Sequence, residues 1–378
     1  MNNEELKEIR RQYKKKNKNF NIYRVAYSYV IPAIPETQIP SFEIKDWEDF
    51  REAEQEIFLS MFKKALSGKI GKNLMEYEFE REAGQENGYQ KKLYTLNKSL
   101  LKDEELVTKL RDEIIANDGF NQKHLITIAS CEYLVPVLDK NGEVIPDSAP
   151  MPFQFLLGCI NEVDLTDIGL FYNPDTANME KKIDEDMHVI PKVLDGFMFP
   201  VFADRGADIS RLLYFTAKPK EPNDGLIEVL CGREAELPYD REQQNFAGLI
   251  SDLAQDELSL QLIQNLQENV REMISENPDS EAFSLSKNEM ENLLSNSGIS
   301  EQKMDRFSAV YDNQVGEEEL KAVNMIDTSK LAVKMNGITV NVKGDVSDKV
   351  KTQVVDGKRY LMIEVDEGLI VNGIDMIK

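Results

Sequence analysis

His124–Val137, reading HLITIASCEYLVPV, and Phe153–Val163, reading FQFLLGCINEV, are the stretches on which the fold turns. Both are rich in β-branched, aromatic and leucine side chains, which suit a pleated, buried surface. Further along, Gly169–Tyr172, Phe197–Phe202 and Ile209–Phe215 read as strands too. Lys140-Asn141-Gly142 and Asn173-Pro174-Asp175 supply turn chemistry between them. The pattern predicts an α+β fold: a mainly antiparallel sheet with packed helices.

Working upstream, residues 103–117 read as a helix. Asp103 is its cap, and Leu106, Leu110, Ile114 and Ile115 share one face. A second helix is expected over 87–98. A third is expected from about Asp46 to Leu66, with Ile57, Phe58, Met61, Phe62 and Ala65 at helical spacing. Pro32, Pro35 and Pro40 impose an extended loop before it. Residues 20–31 suit a strand, and residues 3–18 a short basic helix.

Downstream, residues 240–322 turn helical and acidic, with 12 acids against 4 bases over 271–319. Leu260, Ile263, Leu266, Val270 and Ile274 form a helical stripe, and Asn277-Pro278-Asp279-Ser280 breaks it. Ser286 with Glu289 fits a capping box, Gly298 fits the following stop, and Ser300 can cap the next helix. Asn336-Gly337 and Asp356-Gly357 are hairpin signals. The expected organisation is a basic helix over 1–19, an α+β domain over 20–238, an acidic helical segment over 239–322 and a small β-rich module over 323–378.

The chain has 378 residues and a net charge of −23, yet its first 24 residues carry +5. Most of the surface therefore repels polyanions, and only the N-terminus offers clustered cations. Arg10, Arg11, Lys14, Lys15 and Lys16 are the anion-binding candidates there. Docking onto the chain's own acidic body competes with that reading. The opening helix has only Leu6, Ile9 and Tyr13 as main apolar residues, so deep membrane insertion is not expected. The charged opening lacks the apolar core expected of a signal peptide, and the apolar run near Phe153–Ile160 is too short to span a bilayer. Cys131, Cys159 and Cys231 are widely spaced and read as small buried hydrophobes. A cytoplasmic location is expected.

Catalytic motifs are scarce. With only His124 and His188, there is no H-E-x-x-H, and no G-x-S-x-G elbow occurs. His124 reads as structural and His188 as part of a solvated loop. Leu66–Asn73 (LSGKIGKN) offers Lys69 and Lys72 with two glycines, a combination that can cradle phosphate. Its spacing is not that of a Walker loop, and a lysine-rich helix end is the favoured explanation. Asp204, Arg205 and Asp208 follow a buried strand and could hold magnesium, or could pair internally to fix a turn. A helix-turn-helix over 287–313 is disfavoured by Glu301 and Asp305 beside Lys303 and Arg306. No cofactor and no resident metal is expected.

Leu6–Tyr13, Leu66–Leu74 and Phe199–Arg205, together with Ser286–Glu289, Gly298–Ser300 and Val371–Ile374, resemble a bacterial family known only as a domain of unknown function. The resemblance spans essentially the whole chain and brings no activity, cofactor or catalytic residue. A looser likeness concerns layout over 150–378. A strand ending in Tyr214-Phe215, Leu230-Cys231-Gly232, a helical stretch and a terminal β-module follow the order seen in NdpA-type nucleoid-associated proteins.

These readings favour a non-enzymatic binding or scaffolding protein. Acidic helices would meet partner proteins, and the basic opening would meet an anion. One alternative is nucleoid association through the N-terminal cations. The other is a magnesium-dependent phosphoester hydrolase, which needs Asp204 and Asp208 near Lys69 and Lys72.

Overall fold

The computed structural model describes residues 1–376 apart from 34–35, 80–87, 147, 174–177, 278–281, 366–368 and 372–373; over 164–191 and at 375 it describes backbone only. The chain divides into two compact units, Met1–Pro238 and Tyr239–Lys378.

The first unit runs α1 (Asn3–Gln12), β1 (Phe20–Ile31), β2 (Gln38–Asp46), α2 (Glu52–Ala65), β3 (Leu74–Glu78), α3 (Tyr89–Ser99), α4 (Glu104–Asn117), β4 (His124–Val135), β5 (Met151–Asn173), β6 (Asn178–Phe199), β7 (Val201–Ala203), β8 (Gly206–Asp208), β9 (Arg211–Thr216) and α5 (Asp224–Cys231). Seven strands form one sheet in the order β2-β1-β4-β5-β6-β9-β3. Every pairing in it is antiparallel. Helices cover both faces. Leu93, Leu110, Ile114 and Leu230 of α3–α5 pack with Ile126, Ile128, Leu156 and Tyr214 of the sheet. On the other face Tyr27 meets Phe58 of α2, and the Tyr13 hydroxyl reaches Cys131. Burial on both faces explains why the two deciding stretches are near-continuous apolar runs.

Local signals place the helix ends. The Asp103 carboxylate accepts the Leu106 N–H at 3.1 Å, as its capping role requires. In β5, Gly158 lies opposite Phe197, whose ring occupies the space of a Cβ.

Four expectations need correction. Residues 38–46, read as loop, form the edge strand β2; an edge tolerates Pro40 because no ladder partner needs its missing N–H. The helix expected from Asp46 therefore starts only at Glu52, after a 3-10 turn over Trp47–Asp49. The strand read as 197–202 is two elements: β6 ends at Phe199, and β7 pairs with β8 in a separate hairpin. The segment around His188, read as loop, is β6 backbone paired with Asp164. Consecutive charges, Lys181-Lys182 and Asp184-Glu185-Asp186, concealed that strand. The Asn173-Pro174-Asp175 turn falls partly outside the described residues, between the paired Asn173 and Asn178.

The second unit contains α6 (Tyr239–Ala254), α7 (Leu260–Glu276), β10 (Ser284–Leu285), α8 (Lys287–Asn296), α9 (Glu301–Met304), α10 (Phe307–Gln314), β11 (Leu320–Lys321) and α11 (Ala322–Met325). Three hairpins follow: β12 (Lys330–Met335) with β13 (Ile338–Lys343), β14 (Val350–Val355) with β15 (Lys358–Ile363), and β16 (Ile370–Val371) with β17 (Ile374–Asp375). Ser286 and Glu289 form the expected capping box on α8. Ser300 starts α9, but its hydroxyl donates to Glu257 and does not cap the helix. Asn336-Gly337 and Asp356-Gly357 are the two-residue hairpin turns, with positive φ at Gly337, Asp356 and Gly357. Residues 278–280 of the expected break after α7 lie outside the described residues.

Candidate functional site

The opening helix is docked within the first unit. Asn2 and Glu5 make a reciprocal capping box, Leu6 and Ile9 are buried, and Tyr13 is 3% exposed. The Tyr13 ring packs edge-on against Phe20 at 4.7 Å and lies 6.2 Å from Phe62. Glu8 accepts hydrogen bonds from Tyr133 Oη at 2.8 Å and Arg205 Nη1 at 2.7 Å. Charge drew attention to this helix, yet apolar anchors and one carboxylate hold it.

Lys14–Lys16 leave the helix as a tight turn between two fixed points. Tyr13 anchors one side. On the other, the Asn17 side chain donates to the Gln12 carbonyl at 3.0 Å and accepts the Asn19 N–H at 3.1 Å. Lys16 has φ +58, a left-handed conformation that costs a non-glycine residue about 1–2 kcal/mol. Lys15 bridges Glu52 and Glu56 of α2 at 2.8 Å each. The two carboxylates push the Lys15 ammonium up, and Lys15 holds the Glu52 carboxyl below its usual range. Lys14 and Lys16 form no ion pair among the described residues, though the Lys16 charge also helps to hold the Glu52 carboxyl down.

These lysines rim a cleft of about 220 Å³ that also takes in Asn17, Asn21, Trp47, Gln55 and Leu59, together with Glu52 and Glu56, the two carboxylates that Lys15 bridges. Trp47, the chain's single tryptophan, is held by Phe50 and Phe58 at 5.9 and 6.5 Å, and its carbonyl accepts from Gln55. Two ammonium groups with no ion pair among the described residues, next to the Trp47 indole, suit an anion joined to a flat or apolar group. Trp47 was not identified from the sequence, because α1 and the Trp47 turn meet only through tertiary packing.

The other candidates fall elsewhere. Arg10 is half-buried with its Nε out of contact with water, and Arg11 is exposed on α1. Lys69 is exposed and Lys72 half-buried in the turn after α2. That turn spends its backbone on itself. The N–H groups of Lys72, Asn73 and Leu74 donate to the Lys69 carbonyl, and that of Gly71 to Leu74. A phosphate would find these four donors already engaged, so the cradle reading is not carried by this turn.

Asp204 and Arg205 are the two central residues of the β7–β8 turn, at φ +50 and +56. Arg205 bonds Glu8 and the Pro136 carbonyl, not an aspartate. Asp208 accepts from Ser210 and from Arg211 Nε at 2.6 Å. Burial raises the Asp208 carboxyl, but these donors outweigh it and leave it below its usual range. Arg211 also pairs with Glu76.

β3 pairs with β9 so that Leu74 faces Phe215 and Glu78 faces Arg211. The Lys69–Lys72 turn thus lies beyond one end of the pair and Asp208 beyond the other, about 13 Å of strand apart before either overhang is added. The structure does not bring together the groups a phosphoester centre would need.

Two features escaped sequence reading. A cleft of about 530 Å³ between α3, α4 and α5 is lined by Lys91, Lys92, Lys109, Glu113 and Glu228, with Lys92 tied to Glu113. A buried polar chain also closes one end of the sheet. Tyr214 Oη donates to Asp195 at 2.5 Å and accepts the Asn223 N–H at 2.9 Å; Asn223 Nδ2 donates to the Asp118 carbonyl at 2.7 Å. His124, 1% exposed, places Nδ1 2.9 Å from the Gln122 carbonyl and Nε2 3.0 Å from Asp118 Oδ2, the latter contact too poorly aligned for a hydrogen bond. The three cysteines are buried and free, with the Cys131 thiol pushed up to about 12 and Cys231 to about 11 by burial. No helix among the described residues is long and apolar enough to cross a membrane.

A family model described as Domain of unknown function (DUF4317) matches residues 1–374. No curated protein and no solved structure matches the chain, and the layout likeness to NdpA-type proteins has no support among these comparisons.

Proposed function

The chain belongs to the family described as Domain of unknown function (DUF4317), and from that premise we propose that it is a non-enzymatic cytoplasmic binding or scaffolding protein that takes an anionic group at the Lys14–Lys16 cleft. The observation that carries this reading is that Lys14 and Lys16, beside Trp47, form no ion pair among the described residues of a chain of net charge −23. In such a field, cations outside any ion pair stand out. The strain at Lys16 supports the same reading. Glycine or asparagine would sit there at lower cost, so a lysine in that conformation points to a role for its charge.

Because Trp47 is the single tryptophan, its emission reports this cleft directly. Titration with pyrophosphate at low salt is expected to change Trp47 emission, and added salt to reverse the change. Lys14→Glu with Lys16→Glu is expected to weaken binding about tenfold or more, roughly the loss of one charge-assisted hydrogen bond. Lys16→Gly is expected to separate the two effects. It should stabilise the fold by up to about 1 kcal/mol through release of the left-handed strain, offset in part by glycine's entropy, while lowering affinity. Emission indifferent to pyrophosphate at low salt would sink this reading. Retardation of a duplex DNA fragment, abolished by the same two lysine changes, would move the conclusion to nucleoid association.

A further inference from the structure

The Lys14–Lys16 cleft sets three kinds of side chain side by side: ammonium groups, carboxylates and an indole. Lys14 and Lys16 are exposed and form no ion pair among the described residues. Lys15 takes Oε1 of Glu52 and Oε1 of Glu56, so each carboxylate keeps a second oxygen that can accept from a hydroxyl. Trp47 is half-buried, with Phe50 inclined to it at 51° and Phe58 at 64°. No aromatic side chain among the described residues lies flat against the indole, which leaves it able to stack on a planar ligand group.

Charge limits the size of the anion. Three ammonium groups stand against two carboxylates, which leaves the cleft one positive charge. A phosphate monoester, at about −1.5 to −2 near neutral pH, is matched to that. A longer polyanion would carry its further phosphates onto a chain of net charge −23. The carboxylates favour a ligand that brings hydroxyl donors with its anion, as a ribose does when it donates to an acidic side chain.

Resting on the anion-binding reading of the same lysines, we propose that the ligand of this cleft is a nucleoside monophosphate. Its phosphate meets Lys14 and Lys16, its base stacks on Trp47, and its ribose hydroxyls donate to Glu52 and Glu56. A bare anion would use the lysines alone. It would gain nothing from the indole and would be repelled by the two glutamates.

Calorimetric titration of the full chain at low salt tests this, with adenosine monophosphate, ribose phosphate, dideoxyadenosine monophosphate and pyrophosphate as probes. Adenosine monophosphate is expected to bind about tenfold more tightly than ribose phosphate, the gain from one base stacked on an aromatic side chain. It is also expected to bind several-fold more tightly than the dideoxy compound, which lacks the ribose donors. Trp47→Leu is expected to remove the advantage over ribose phosphate while pyrophosphate affinity stays. A thermal melt checks that this variant is folded, and the ligand comparison on the unmodified chain decides the matter if it is not. Equal affinity for adenosine monophosphate and ribose phosphate, with pyrophosphate still bound, would overturn the nucleotide assignment and leave the anion reading standing. Failure of pyrophosphate and nucleotide alike would overturn both. A single-stranded oligoadenylate bound about tenfold or more tightly than the monophosphate would overturn the assignment in favour of a nucleic-acid strand.

Discussion

Tyr214→Phe is expected to cost about 3 kcal/mol of stability, because it takes a donor from a buried carboxylate and an acceptor from a half-buried backbone N–H at once. The Tyr214 hydroxyl donates to the buried Asp195 and accepts the N–H of the half-buried Asn223. For a unit of this size, that loss lowers the thermal midpoint by roughly 6–12 °C.

The deficit should depend on pH. Burial raises the Asp195 carboxyl, while hydrogen bonds from Tyr214 and Thr216 and the charge of Lys218 pull it back. A carboxyl raised in the fold contributes its full stability below the ordinary carboxylate range and loses it as pH climbs through the raised value. Without the Tyr214 donor the Asp195 carboxyl rises further. The gap between variant and wild type is therefore wider at neutral pH than near pH 3, where Asp195 is protonated folded or unfolded. Thermal melts across that range check this; a gap that narrows with rising pH would contradict the assigned direction.

Phe202→Ala is the second large effect, about 4 kcal/mol in unfolding free energy. Phe202 is fully buried on β7, with its ring 4.9 Å from Phe153 and 6.2 Å from Tyr133. Truncation leaves a cavity beneath the β7–β8 hairpin, whose turn holds Arg205 against Glu8 of α1. The hairpin and α1 should loosen together, so amide exchange in α1 is expected to quicken more than in α4. Phe202→Leu preserves most of the volume and should cost less than half as much. Equal losses for both variants in denaturant titrations would show that the hairpin is not seated by the ring.

The sheet was readable because its signals are local. The run from His124 and the run from Phe153 are apolar enough to be covered on both faces, and short turn segments between such runs leave antiparallel pairing as the simple outcome. The caps at Asp103 and Ser286 and the turns at Asn336-Gly337 and Asp356-Gly357 are equally local. Each depends on a side chain or a φ angle within a few residues. Where local signals conflict, reading failed. Pro40 suggested a loop where an edge strand runs, and the charges around His188 masked the length of β6.

The candidate site divides in the same way. Composition singled out Lys14, Lys15 and Lys16 as cations in an acidic chain, and the sequence alone determined that contrast. Which of them remains open was decided by the fold. Lys15 meets Glu52 and Glu56, 37 and 41 positions away, while Lys14 and Lys16 form no ion pair among the described residues. Arg205 likewise turned out to serve Glu8, 197 positions distant. An ion pair depends on distance in space, and chain separation carries almost no information about it until the backbone has been folded. The same holds for the C-terminal hairpins. Their turns are written in local residues, but which of their apolar side chains are buried, as Leu331 and Val350 are, and which stand exposed among the described residues is decided by packing in space.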